Sequence, residues 1–340
     1  ATTGRTTTNI EVRQRKADII MKTKLIIEQH FHGAFGVDFN KASVDEVLFV
    51  SSEMFKHGIG GIFPTLVTDS VENINRAVSV IKSAAMKQST GMAKILGIHL
   101  EGIFINEKKK GIHNPAHFMN PTVENYKLLE DDFIKIVTLA PELCTKESNL
   151  IDYLNKKGVK VQAGHCVGGD LRGCDATTHT FNAMEGVTHR GQSTALSALI
   201  NDEIFTEIIA DGVHVSEDAL KLFFKCKPLD KVLLVSDCLS CTGLKASADA
   251  VYEFQFADET VFYNGTRASS KEGTLAGSTT LVPDIYKRLA LSEILTSTHF
   301  GKSKEDLISQ LVENPYNYHG INLNGSIEWD ENFNIVKVNA

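Results

Sequence analysis

The sequence predicts an α/β fold, a (β/α)8 barrel of the TIM type with a small accessory β-sandwich formed by the chain termini. Three observations carry this expectation. Eight short apolar runs recur along the chain, amphipathic stretches of helical period separate them, and histidines and carboxylates stand at the C-terminal ends of several runs. Alternating strands and helices imply a parallel sheet, and eight such units imply closure into a barrel. With 340 residues, 42% of them hydrophobic, the chain can fill one barrel core of ordinary size.

The candidate strands are residues 24–28, 61–67, 95–101, 134–140, 159–165, 176–181, 206–211 and 231–237. Each is continuously apolar rather than alternating, as expected of strands covered on both faces. Helical patterns fall at 44–57, 71–86, 122–131, 149–157 and 217–225, and Gly158 is a suitable stop for the fourth. One interval is short. Between Cys166 and Asp175 only a glycine-rich stretch stands where a helix belongs, so either that helix is reduced to a turn or the strand count fails there. After the eighth strand, 252–256 and 260–263 read as a hairpin, followed by helices around 281–291 and 304–312. Residues 326–338 alternate like edge strands and could pair with 10–20. The expected division is therefore a barrel over 25–315 and a small β-layer from 1–24 and 316–340.

Composition narrows the function classes. A formal net charge of −7 offers no basic footprint for nucleic acid and no cationic membrane face. No apolar stretch reaches membrane-spanning length, since runs such as 232–235 are strand-sized. Residues 1–16 are Thr-rich and lack the apolar middle of a secretory signal, which suggests a poorly ordered lead-in, with organelle transit as the weaker alternative. Six cysteines are too sparse for a disulfide scaffold, and the CxxC pair Cys238 and Cys241 lacks the second pair of a structural zinc site. Reduced thiols in a cytoplasmic enzyme are expected.

In a barrel the active site lies at the C-terminal strand ends. There the sequence places His30 and His32, Glu101, His165, His179, His214 after Asp211, and Asp237. Taken singly each has a plain structural explanation, such as a satisfied interior histidine or a helix cap. Converging on one rim, they are the donor set of a divalent metal of the zinc or iron type. After His179 come Asn182, Ala183 and, further on, Arg190, a combination suited to a phosphate if Arg190 is not simply a solvated charge. The run Lys108–Lys110 reads as a solvated loop and receives no chemistry.

These residues form an ordered series: His30-Phe-His-Gly33, His99-Leu-Glu-Gly-Ile-Phe104, Lys109-Lys-Gly-Ile-His113, Thr138-Leu-Ala-Pro-Glu142, Gly164-His165, Thr178-His-Thr-Phe-Asn-Ala-Met184, Ala210-Asp-Gly-Val-His214, Ser236-Asp237 and Leu275-Ala-Gly-Ser278. From His30 to the C-terminus the series resembles the N-acetylglucosamine-6-phosphate deacetylase family of the amidohydrolase superfamily. The resemblance implies hydrolysis of the acetamide of a phosphorylated amino sugar, giving acetate and glucosamine 6-phosphate. It implies that Glu101, His165 and His179 hold the main metal, and that His30 and His32, with Glu101 and Asp237, reach a second ion where one binds. Asp237 becomes the acid/base and His113 the contact to the acetamide. Asn182, Ala183, Arg190 and His214 hold the sugar phosphate, and Leu275, Ala276 and Gly277 line the sugar site. Homodimers are implied too, with Arg190 or His214 reaching a neighbour's pocket. The chain departs from the family pattern at Ile103, where LEGPF has proline, and at Ile112, where KGAH has alanine.

Two rival readings are weighed. Relatives that open cyclic amides often bridge two metals with a modified lysine at the end of strand four, but here that strand runs Thr138-Leu-Ala-Pro and Glu101 lies on strand three instead. A non-catalytic sugar-phosphate sensor has no need of Glu101, His165, His179 and Asp237 together.

Overall fold

The computed structural model describes residues 18–244, 251–296 and 300–340. Eight parallel strands follow one another in chain order around a single sheet: Ile26–Phe31, Ile59–Leu66, Ile98–Glu101, Ile134–Leu139, Lys160–Ala163, Ala176–Thr177, Phe205–Ile208 and Val232–Leu234. All eight match a predicted run. The ring closes just beyond the last strand, where Asp237 N donates to His30 O and His32 N to Cys238 O, both at 2.8 Å. These two bonds set the eighth strand end beside the first.

Helices cover the strands where their caps begin them. Ser43 caps Val44–Lys56 in a capping box with Glu46, and Ser70 and Ser216 cap Val71–Lys87 and Glu217–Cys226. Two elements differ from expectation. The helix expected over 122–131 is only Val123–Tyr126, with the remainder in turns. The sixth strand is two residues long rather than six, because the chain turns sharply at His179 and Phe181, with φ of 29° and 82°. The Cys166–Asp175 interval is indeed a turn. Gly168, Gly169 and Gly173 take positive φ there, and a side chain at Gly169 would meet Ser193 O at 2.9 Å.

The hairpin Tyr252–Phe256 and Glu259–Tyr263 extends through Ala268–Ser269 to Leu275–Gly277, forming a four-stranded antiparallel sheet. Helices Val282–Leu291 and Lys304–His319 follow. At the termini, Ile19–Thr23, Ser326–Asp330 and Ile335–Asn339 make a three-stranded antiparallel sheet, sealed by Trp329, whose indole donates to Thr23 Oγ1 at 3.0 Å. Residues 1–17, including the part of the expected N-terminal strand before Asp18, lie outside the described residues. Among the described residues no helix is long and apolar enough to cross a membrane.

Glu28 sits in the seam that closes the barrel. Its fully buried carboxyl accepts from His30 N at 3.1 Å and Ser236 N at 3.2 Å. Burial outweighs these bonds and lifts its pKa to about 8. Folded protein therefore keeps a proton that the unfolded chain releases above ~4.3. The resulting stability is complete below that pH and is lost as pH rises toward 8. Glu28→Gln cannot ionise, so its thermal midpoint relative to wild type should climb from pH 5 to pH 8. Parallel curves for the two proteins over that range would refute the neutral carboxyl.

Candidate metal centre

His30 and His32 lie two positions apart, so both side chains leave the same side of the first strand. Both reach Glu101 at the end of the third. His32 Nε2 lies 3.0 Å from Glu101 Oε2 and 3.2 Å from Asp237 Oδ1, and His30 Nε2 lies 3.4 Å from each of those oxygens. The other oxygen of Glu101 faces His179 Nε2 at 2.9 Å and His165 Nε2 at 3.3 Å. Those two nitrogens are 3.1 Å apart. Glu101 thus joins two donor groups, one made by the first and eighth strands, the other by the fifth and sixth.

The donors fit a divalent ion. His30, His32, Glu101 and Asp237 each offer an atom within 4.8 Å of the others, and all four are buried. His30 Nε2 has no hydrogen-bond partner among the described residues although it is aimed at two carboxylates. A buried nitrogen left unbonded beside two carboxylate oxygens is what a cation would organise.

The electrostatics agree. Burial pulls His32 down, but bonds to Asp237 and Glu101 outweigh it and bring its pKa up to about 9. For His30 burial acts the same way, and Glu101, Glu207 and Asp237 raise it well above the ordinary value. Burial would raise Glu101, yet His30, His165 and His179 hold it well below the carboxylate range. The buried carboxylates demand positive charge, and a divalent ion supplies it while leaving the imidazoles neutral.

Backbone geometry aims these groups. His165, His179 and Asp237 have φ of 47°, 29° and 53°, in the left-handed region that non-glycine residues seldom use. Each turns its chain at a strand end and swings the side chain over the barrel mouth. Residues held this way cluster at functional sites.

Several supporting groups escaped the sequence reading. Glu207, on the seventh strand, bonds His30 Nδ1 at 2.8 Å. Thr68 accepts Ile103 N at 2.8 Å and stands 2.8 Å from His113 Nδ1. Its hydroxyl can donate to His113 Nδ1, the tautomer that leaves the hydrogen on Nε2. Burial, reinforced by His165, keeps His113 neutral by pushing its pKa well below the usual value. Glu207 had a signal in the sequence, because a lone carboxylate inside a strand covered on both faces needs a partner. Thr68 had none.

A cavity of about 680 Å³ opens above the centre. His32, Glu101, His113, His165, His179 and Asp237 form one part of its lining, and Asn182, Ala183, His214 and Leu275–Gly277 another. His214 holds Asp211 through Nδ1 at 2.8 Å, and its Nε2 has no hydrogen-bond partner among the described residues. Arg190 is exposed and does not line this cavity. Lys108, Lys109 and Lys110 do, which corrects the reading of that run as merely solvated: the loop folds back over the rim, and Lys109 Nζ bonds Met184 O at 3.1 Å. Arg267, from the turn before Ala268–Ser269, adds another cation. Ile112 is buried beside the cavity, and Ile103 has φ of 63°, a value closed to the proline of the family pattern.

Barrel and centre together define a class, the metal-dependent amide hydrolases of the amidohydrolase superfamily. An N-acetylglucosamine-6-phosphate deacetylase of Bacillus subtilis is 34% identical over 278 residues, covering 78% of this chain and 68% of that protein. The chain belongs to the N-acetylglucosamine-6-phosphate deacetylase family. An N-acetylgalactosamine-6-phosphate deacetylase of Escherichia coli O157:H7 is 28% identical over 282 residues, covering 79% of this chain and 72% of that protein. The crystal structure of N-acetylglucosamine-6-phosphate deacetylase from Thermotoga maritima superposes with a TM-score of 0.81 at 24% identity, over 93% of this chain and 86% of that one. No family model matches the chain.

Proposed function

We propose that the chain hydrolyses the acetamide of N-acetylglucosamine 6-phosphate to acetate and glucosamine 6-phosphate, in the cytoplasm, as a step of amino-sugar breakdown or recycling. The observation that carries this reading is Glu101, shared between His165 with His179 on one side and His30, His32 with Asp237 on the other. It stands in a chain 34% identical to a deacetylase of that specificity. When bound, one or two ions of the zinc or iron type polarise the amide carbonyl and lower the pKa of a water toward ~7.

The protein's own groups do the rest. Asp237 accepts the proton of the attacking water and returns it to the sugar nitrogen, so that nitrogen leaves as a neutral amine. His113 donates from Nε2 to the oxyanion that develops on the acetyl carbon. Leu275, Ala276 and Gly277 hold the sugar, while Asn182, Ala183 and His214 face its phosphate. Arg190 lies outside its own chain's cavity, which supports a place in the pocket of a partner subunit within a homodimer. The barrel over 25–315 carries the chemistry, and the three-stranded layer of Ile19–Thr23, Ser326–Asp330 and Ile335–Asn339 braces it.

The test is acetate release from the 6-phosphates of N-acetylglucosamine and N-acetylgalactosamine, with and without chelator, for wild type and Arg190→Ala. Chelator-sensitive release from the glucosamine derivative is expected, and its absence ends the proposal. A charged bond to phosphate is worth about 1.5–3 kcal/mol, so Arg190→Ala should weaken the phosphorylated sugar by ~10–150-fold. Unphosphorylated N-acetylglucosamine should bind the variant as it binds wild type. Equal losses for both sugars would make Arg190 a structural residue.

A further inference from the structure

Glu207 is a buried carboxylate inside the barrel that the proposed chemistry does not use. It lies on Phe205–Ile208 with no solvent exposure. Oε2 is 2.8 Å from His30 Nδ1 and accepts His179 N at 3.2 Å, while Oε1 accepts Gln29 Nε2 at 2.6 Å. Gln29 is held in turn, since its Oε1 lies 2.9 Å from His319 Nε2, and His319 stacks on Phe63 with ring centroids 4.4 Å apart. The carboxylate is therefore fixed from three directions and cannot swing away from His30.

Both oxygens of Glu207 already accept hydrogen bonds, Oε2 from His179 N and Oε1 from Gln29 Nε2, the arrangement of an ionised carboxylate. An ionised carboxylate is an acceptor only, so the hydrogen between the two residues belongs to His30 Nδ1. The ring then has one face of its chemistry determined. In the neutral ring Nε2 then carries the lone pair, and it is this nitrogen that lies 3.4 Å from Glu101 and 3.4 Å from Asp237. The bond to His179 N adds a second effect, for it supports the backbone of a donor from the other group, at a residue whose φ is 29°.

From this geometry we infer that Glu207 is a positioning residue of the metal centre: it holds His30 in the tautomer and orientation that present Nε2 as a ligand, and braces the turn that presents His179. The inference rests on the proposed metal reading of the site. A carboxylate behind a ligating histidine commonly accounts for 10–100-fold in metal affinity. Among the described residues, Glu207 makes the hydrogen bond to His30 Nδ1, while the neighbouring His99 is engaged by Gln29 O and Thr138 Oγ1.

The experiment measures zinc binding to metal-free protein by competition with a chromophoric chelator, together with bound metal per chain and the thermal midpoint before metal is added. Glu207→Leu should weaken the zinc step that depends on His30 by ~10–100-fold. His30→Ala should weaken the same step, and at that step the double variant should bind no worse than the weaker single variant, because there the two changes remove one interaction. Glu207→Gln keeps an acceptor oxygen opposite His30 Nδ1 and should restore part of the affinity. It also keeps the test decisive if the leucine variant does not fold. Wild-type zinc affinity in both Glu207 variants, or additive losses in the double variant, would overturn the inference while leaving the metal reading intact. Wild-type protein that takes up no zinc would overturn both.

Discussion

His165→Ala and His179→Ala should each leave a folded barrel with little bound metal and turnover reduced by ~10³-fold or more. Their Nε2 atoms stand 3.3 Å and 2.9 Å from one oxygen of Glu101 and 3.1 Å from each other, while the neighbouring His113 faces the other oxygen at 3.8 Å. Carbonyl polarisation by a bound cation is worth several kcal/mol, and forfeiting about 4 kcal/mol corresponds to about a thousandfold in rate. Metal content by elemental analysis and acetate release on one sample give the check. A variant that keeps full metal and near-normal turnover removes its histidine from the centre. Added zinc should restore little, because the missing nitrogen is a ligand and not merely a support for one.

Asp237→Asn separates proton transfer from binding. The amide keeps the shape of the carboxylate and one oxygen toward His30 and His32, so the protein should retain metal and still bind substrate. It cannot accept a proton at neutral pH, and loss of a positioned acid/base typically costs 10²–10⁴-fold. Turnover should fall by about that much with KM nearly unchanged. A KM that rises in step with the loss of turnover would instead mean that Asp237 mainly binds. A loss smaller than tenfold would assign the proton to another group.

The barrel was legible because its strands are covered on both faces and therefore read as uninterrupted apolar runs. Even the two-residue sixth strand lay inside its predicted run, although the turn at His179 cut it short. The helix expected over 122–131 failed for the opposite reason: periodicity shows which side chains could face a core, not whether the chain has room for three turns. At the site, residues at strand ends were readable because barrel topology puts all such ends on one rim. What connects them was not. Glu207 and His30 are separated by 177 positions and Thr68 and His113 by 45, and neither pair has a local pattern that announces the contact. The lysines of the Lys108–Lys110 loop were misjudged because exposure in sequence and exposure in a cleft look alike until the loop is folded over the rim.

The left-handed backbone at His165, His179 and Asp237 sets the centre against the preferences of the chain that carries it. Each such residue costs on the order of 1–3 kcal/mol, which glycine at the same place would largely spare. Three positions to which the chemistry is proposed to fall are thus three positions at which the fold alone would choose differently. Drift under selection for heat resistance then runs toward the loss of the proposed ligands, and a library ranked by melting temperature is expected to promote less active members ahead of the parent. Improvement of this enzyme has to be scored on turnover and stability together, because along these three residues the two point in opposite directions.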